Sequence, residues 1–192
     1  MKRYFLTLIA SVVLVVVTPH SLAQLKVDIS GVGANQIPIS IANFSDEPIT
    51  GYSISGIIRA DLQRSGLFKL IETSEIISET VPVNLSSWKA KGADALVTGS
   101  AIKHSEDRIE LRYKLADTVR TADLAVHSVS TPSQFVRLAA HKIADDIIYK
   151  LLGERGVFST RLSYVIKEGK RYRLVISDAD GQNIRNAMAS GD

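Results

Sequence analysis

The eight residues Arg108–Leu115, RIELRYKL, alternate without a break. Ile109, Leu111, Tyr113 and Leu115 fall on one side of an extended chain, and Arg108, Glu110, Arg112 and Lys114 on the other. A period of two describes a strand with one buried and one wetted face. Such a strand needs neighbours in a sheet and a second layer over its apolar side. ADLAVHSV (Ala122–Val129) follows at hairpin distance and is predicted to pair with it. ADALVTGSAI (Ala93–Ile102) is apolar enough for a buried strand.

The covering layer is legible in two stretches. Pro48 is predicted to open a helical stretch in which Ile54, Ile57, Ile58 and Leu62 share one face, with Gly66 as its left-handed cap. TPSQ (Thr131–Gln134) reads as a capping box, with Pro132 at the first helical position. The helix it starts places Val136, Ala140, Ile143, Ile147 and Leu151 on one side and ends at Gly153. Ile37, Ile39 and Ile41 alternate in a further strand, where Pro38 argues for an early or edge position, and LFKLIE supplies another. Residues 73–92 are a polar loop and a short helix, Ser87–Lys91, ended by Gly92. The sum is an α/β fold: a mixed β-sheet packed by two main helices, too few for a doubly wound architecture, with no internal repeat.

After GERG (Gly153–Gly156) the pattern changes. VFSTRLSYVI and KRYRLVISD are strands joined by KEGK, with glycine where positive φ is easy. DADGQN is the next turn, and IRNAMASGD begins another strand. Short strands at this spacing announce an all-β unit. Three of them do not hold together alone, so further chain is expected beyond Asp192.

The front of the chain is of another kind. Lys2 and Arg3 precede an almost wholly apolar run, Tyr4–Val17, which Thr18-Pro19 breaks before Ser21-Leu22-Ala23. That is a secretory signal cut after Ala23, and the apolar run is short for a membrane-spanning helix. The expected organisation is therefore a signal peptide at 1–23, an α/β domain at 24–155 and the start of a β unit at 156–192. Of 23 basic and 20 acidic residues, the signal removes Lys2 and Arg3, so the mature chain is nearly neutral. Nucleic-acid binding wants a surplus of positive charge that is absent here. The chain has no cysteine, which excludes disulfides, thiolate metal sites and a lipidated cysteine.

No catalytic or metal constellation assembles from spacing. DADGQN fails as an EF-hand loop: counting from Asp178, Asn183 stands where glycine belongs and Ala189 where glutamate belongs. GVGANQ (Gly31–Gln36) lacks the third glycine of a dinucleotide fingerprint and leads to a strand. GYSIS (Gly51–Ser55) lacks the second glycine of a nucleophile elbow. His104, His127 and His141 lie out of helical reach of other ligands, with His127 on a strand and His141 on a mostly solvated helix side. Asp145 and Asp146 point different ways on that helix and are read as surface residues, and the basic run Lys167–Arg173 as a solvated hairpin edge. No catalytic residue, cofactor-binding residue, cofactor or metal ligand is assigned.

Read in order, the segments ISGIIRADLQRSGLFKLI (Ile54–Ile71), WKAKGADALVTGSAI, RYKLADT, AAHKIADDIIYKLLGERGVFSTRLSYV and LVISDADGQN resemble the TolB family, the periplasmic components of the Tol-Pal system. The most specific part runs from Gly156 to Asn183, with Leu162 in place of the usual isoleucine. The resemblance implies that the strands after Gly156 begin a truncated β-propeller. It implies a non-enzymatic adaptor that links TolA to Pal and supports outer-membrane integrity and invagination during cell division. It places TolA binding at the mature N-terminus: Gln24, Leu25, Lys26, Val27, Asp28 and Ile29. LKVDI alternates on a glycine-rich tether, as a segment that adds to a partner's sheet edge would. Pal binding belongs to the propeller, most of which is missing. The other reading of the residues is a stand-alone exported accessory or regulatory domain with no TolA link.

Overall fold

In the computed structural model, which describes residues 36–189, the alternating segment is β4 (Arg108–Asp117), antiparallel to β3 (Ala95–Ser105) on one side and β5 (Ala122–Pro132) on the other. Ile109, Leu111, Tyr113 and Leu115 are at most 3% exposed, as the period-two pattern requires. β1 (Ile37–Ile41) pairs in parallel with both β3 and β2 (Phe68–Leu70), giving a mixed sheet of order β2-β1-β3-β4-β5.

Pro38 therefore lies early in its strand but not at an edge, since β1 has neighbours on both sides. Its carbonyl accepts the amide of Asp94, just before β3 starts. The missing proline N–H faces the same side, short of the ladder, so it costs no sheet bond.

Helices α1 (Ile54–Ser65) and α3 (Val136–Leu152) pack on one face of this sheet. Their apolar stripes, Ile54, Ile58 and Leu62 on one and Val136, Ala140, Ile143 and Ile147 on the other, join the inward residues of β1, β3 and β4 in one core. α2 (Leu85–Ala90) covers part of the opposite face, where Leu85 and Trp88 meet Ala42, Ile77, Leu96 and Ala116.

Two helix starts differ from expectation. Pro48 belongs to a separate 3-10 helix, Glu47–Thr50, which Gly51 ends at φ 73°. α1 begins afresh from Ser53, whose hydroxyl accepts the Gly56 amide at 3.2 Å. A left-handed glycine interrupts the hydrogen-bond ladder, so one apolar stripe does not make one helix. Likewise TPSQ is no capping box. Thr131 and Pro132 are the last residues of β5, a 3-10 turn covers Ser133–Phe135, and no side chain caps α3. Sheet pairing of Ile109 with Thr131 holds the threonine extended, away from the amides it would cap.

Past Gly153, the left-handed cap of α3, β6 (Arg161–Glu168), β7 (Arg171–Asp178) and β8 (Arg185–Ala189) form an antiparallel three-stranded sheet in sequence order. The KEGK turn has Gly169 at φ 63°, and DADGQN is the turn between β7 and β8.

Candidate functional site

Asp61 falls in the middle of the apolar stripe of α1, between Ile58 and Leu62, and is fully buried. A carboxylate there requires a partner. It has two: Arg64 Nη1 at 3.1 Å and His141 Nδ1 at 2.6 Å. His141, on α3, is fully buried as well, which overturns its reading as a solvated residue. Close packing of α1 against α3 seals the side of the helix that the sequence left open.

On its other side, His141 faces the turn after β7. A ligand-capable atom from each of His141, Asp178 and Asp180 lies within 4.8 Å of the others. Arg137, one turn earlier on α3, reaches the same turn, its Nη2 against Asp180 and its Nε 3.3 Å from Asp178 Oδ2. His141 Nε2, Arg137 Nε and Asp178 Oδ2 are buried without a hydrogen bond. Three elements far apart in sequence thus converge on one buried charged cluster.

Two further histidines have carboxylate partners. His127 Nδ1 lies 3.1 Å from Asp146 Oδ2, and the Tyr113 hydroxyl donates to the same oxygen. Burial, and then the hydrogen bond to Asp146, push the Tyr113 hydroxyl well above the ordinary tyrosine range. At the far end of the hairpin, Glu110 takes Arg112 at 3.0 Å and His104 at 2.6 Å. The Arg112 hydrogen bond, followed by that of His104, lowers the Glu110 carboxyl to about 2.

The aspartates Asp145 and Asp146 are not idle surface groups, since Asp145 accepts the backbone amides of Phe158 and Ser159. Both acids are anchored because the chain after α3 and the β4–β5 hairpin lie against that helix. The basic hairpin of Lys167–Arg173 is largely exposed, as expected. None of these clusters combines a nucleophile with a base and an oxyanion donor set, among the described residues. The residues expected to bind TolA, Gln24, Leu25, Lys26, Val27, Asp28 and Ile29, and the expected signal segment at 1–23, lie outside the described residues.

The model of a protein family described as the TolB amino-terminal domain matches residues 25–124. The chain belongs to the TolB family. It is 44% identical over 169 residues to the Tol-Pal system protein TolB of Dechloromonas aromatica (strain RCB), covering 88% of this chain and 40% of that protein. The fold matches the crystal structure of TolB from Acinetobacter baumannii with a TM-score of 0.64 at 29% identity, over 81% of this chain and 39% of that one. This TolB-family chain thus spans about 40% of the length of the relative it matches. The family-model match ends inside β5, so His141, Asp178 and Asp180 lie beyond it. Among the described residues, no helix is long and apolar enough to cross a membrane.

Sequence reasoning missed the buried cluster because its members come from residues 61, 141 and 178–180. One signal was present: an aspartate on the core-facing stripe of α1 demands a buried counter-charge.

Proposed function

We propose that this chain is the front part of a periplasmic adaptor of the Tol-Pal system, linking TolA to Pal and so serving outer-membrane integrity and its invagination at division. The observation that carries this reading is the 44% identity over 169 residues to a Tol-Pal TolB. The adaptor is non-catalytic and works by presenting surfaces. The exported product begins at Gln24 and has an α/β domain to about residue 155. Residues 156–192 start the first blade of a β-propeller that carries the Pal surface.

TolA is engaged by Gln24–Ile29. Leu25, Val27 and Ile29 line one face of a short extended segment, with Lys26 and Asp28 opposite. Docked on a sheet edge of the partner, such a segment gains affinity from main-chain hydrogen bonds and specificity from alternate side chains. Its tether ends where β1 begins, and the core described above is built from Ile37 onward. The shortened chain is expected to keep the core that the described residues form.

The test is a pull-down with TolA using the mature chain and a variant lacking residues 24–35. The intact chain captures TolA, and the shortened chain keeps its melting temperature but captures none. Capture of TolA by the shortened chain sinks the assignment.

A further inference from the structure

We propose that Asp61, His141, Asp178 and Asp180 make a site for a divalent cation of the zinc class. His141 Nε2 and one oxygen each from Asp178 and Asp180 are its ligands, and Asp61 orients the imidazole.

The imidazole is set for the role. Asp61 Oδ2, 2.6 Å from Nδ1, holds the proton on that nitrogen and turns the lone pair of Nε2 toward the acidic turn. A carboxylate behind a ligating histidine is the usual supporting arrangement at zinc sites. Nε2 is fully buried and has no hydrogen bond, and a ring nitrogen of His141 lies within 4.8 Å of a carboxylate oxygen of Asp178 and of Asp180. Asp178 Oδ2 is likewise buried without a hydrogen bond, with Arg137 Nε as its ion-pair partner at 3.3 Å. Zinc bonds of about 2.0–2.2 Å set tetrahedral donors roughly 3.4 Å apart, so from within 4.8 Å the ligands close by at most about 1.4 Å. With α1 and α3 packed in the core, the closing falls to the end of β7 and the turn after it, which carry Asp178 and Asp180.

Charge favours a further cation. Asp61, Asp178 and Asp180 are faced by Arg64 and Arg137, which leaves one negative charge over. Arg137 stays on Asp180, while its Nε, ion-paired to Asp178 Oδ2 at 3.3 Å without a hydrogen bond, yields that oxygen when the ion binds. One imidazole with two carboxylates suits zinc better than calcium or magnesium, which prefer oxygen alone. The bound ion ties the end of β7 to α3 and so fixes the β6–β8 sheet to the α/β body.

The full chain is stripped of metal with a chelator and titrated with Zn²⁺ by calorimetry. The expected result is one Zn²⁺ per chain. Asp180→Asn and Asp61→Asn weaken binding about tenfold or more. A His104→Gln/His127→Gln double variant, which removes the two exposed histidine pairs, binds as the parent does. Circular dichroism verifies each fold. If a cluster variant does not fold, zinc-edge absorption of the loaded double variant decides, with imidazole among oxygen donors expected. The proposal is overturned by the absence of stoichiometric binding in the parent, by undiminished binding in Asp180→Asn, by loss of binding in the double variant, or by an absorption spectrum with oxygen donors alone.

Discussion

Asp145 holds the chain at Phe158. One carboxylate oxygen accepts the Phe158 amide at 2.8 Å and the other accepts that of Ser159 at 2.9 Å. Two residues before Phe158, Gly156 passes so near that a Cβ there would stand 2.6 Å from Asp145 Cα. A helix carboxylate thus caps a loop that must carry glycine, and the buried ring of Phe158 is delivered to the core.

Gly156→Ala is expected to destabilise the fold by about 1–3 kcal/mol, through crowding rather than backbone strain. Asp145→Ala costs about 1–3 kcal/mol by leaving two amides without an acceptor. Because both changes act on the same contact, the double variant costs less than the sum. Urea denaturation of the three variants measures this, and strict additivity would contradict it.

Gly99 in β3 is fixed by a different neighbour. A Cβ at this position would lie 2.5 Å from the Arg112 carbonyl and 2.6 Å from Phe44 Cζ. Gly99→Ala should lose about 1–3 kcal/mol, and a smaller ring-free residue at Phe44 should recover only part of it, since the carbonyl clash remains. Denaturant midpoints of the single variant and of Gly99→Ala/Phe44→Leu test this.

Tyr113 couples β4 to α3 through Asp146. Its raised hydroxyl stays protonated in the fold after an unfolded tyrosine, near 10, has ionised. The stability it contributes is full below about pH 10 and falls as pH rises above that value. Tyr113→Phe should cost roughly 1–3 kcal/mol at neutral pH and flatten the loss on the alkaline side. Equilibrium unfolding at neutral and alkaline pH reads both, and an unchanged alkaline slope would count against it.

Glu110 works in the opposite direction. Its carboxyl, lowered to about 2, keeps its contribution above the ordinary 4.5 and loses it as pH falls from there toward 2. Solvent around Arg112 and His104 keeps the effect on stability small. A carbon-detected NMR titration should place the Glu110 midpoint near 2, and Arg112→Ala should move it back up toward 4.5. A midpoint unmoved by that substitution would remove Arg112 as the main cause.

Much of the architecture was written in local pattern. The strict alternation of Arg108–Leu115 and the glycine stops at Gly66 and Gly153 are properties of neighbouring residues, and each became the element it announced. Where local signals competed, tertiary pairing won. Thr131 could cap a helix by its sequence, yet the β4–β5 ladder claimed it. Pro48 could have opened a long helix, but Gly51 broke it.

The sequence by itself determined the main strands and helices and the apolar faces they turn inward, though neither the starts of α1 and α3 nor the burial of His141, because periods of two and of 3.6 residues are local. It also carried the family, since the match spans residues 25–124 in order. Only the tertiary structure decided that Asp61, His141 and Asp178 meet. Charge pairing in a core depends on which helices cross and which turn lies against them, and residue spacing along the chain does not encode that distance.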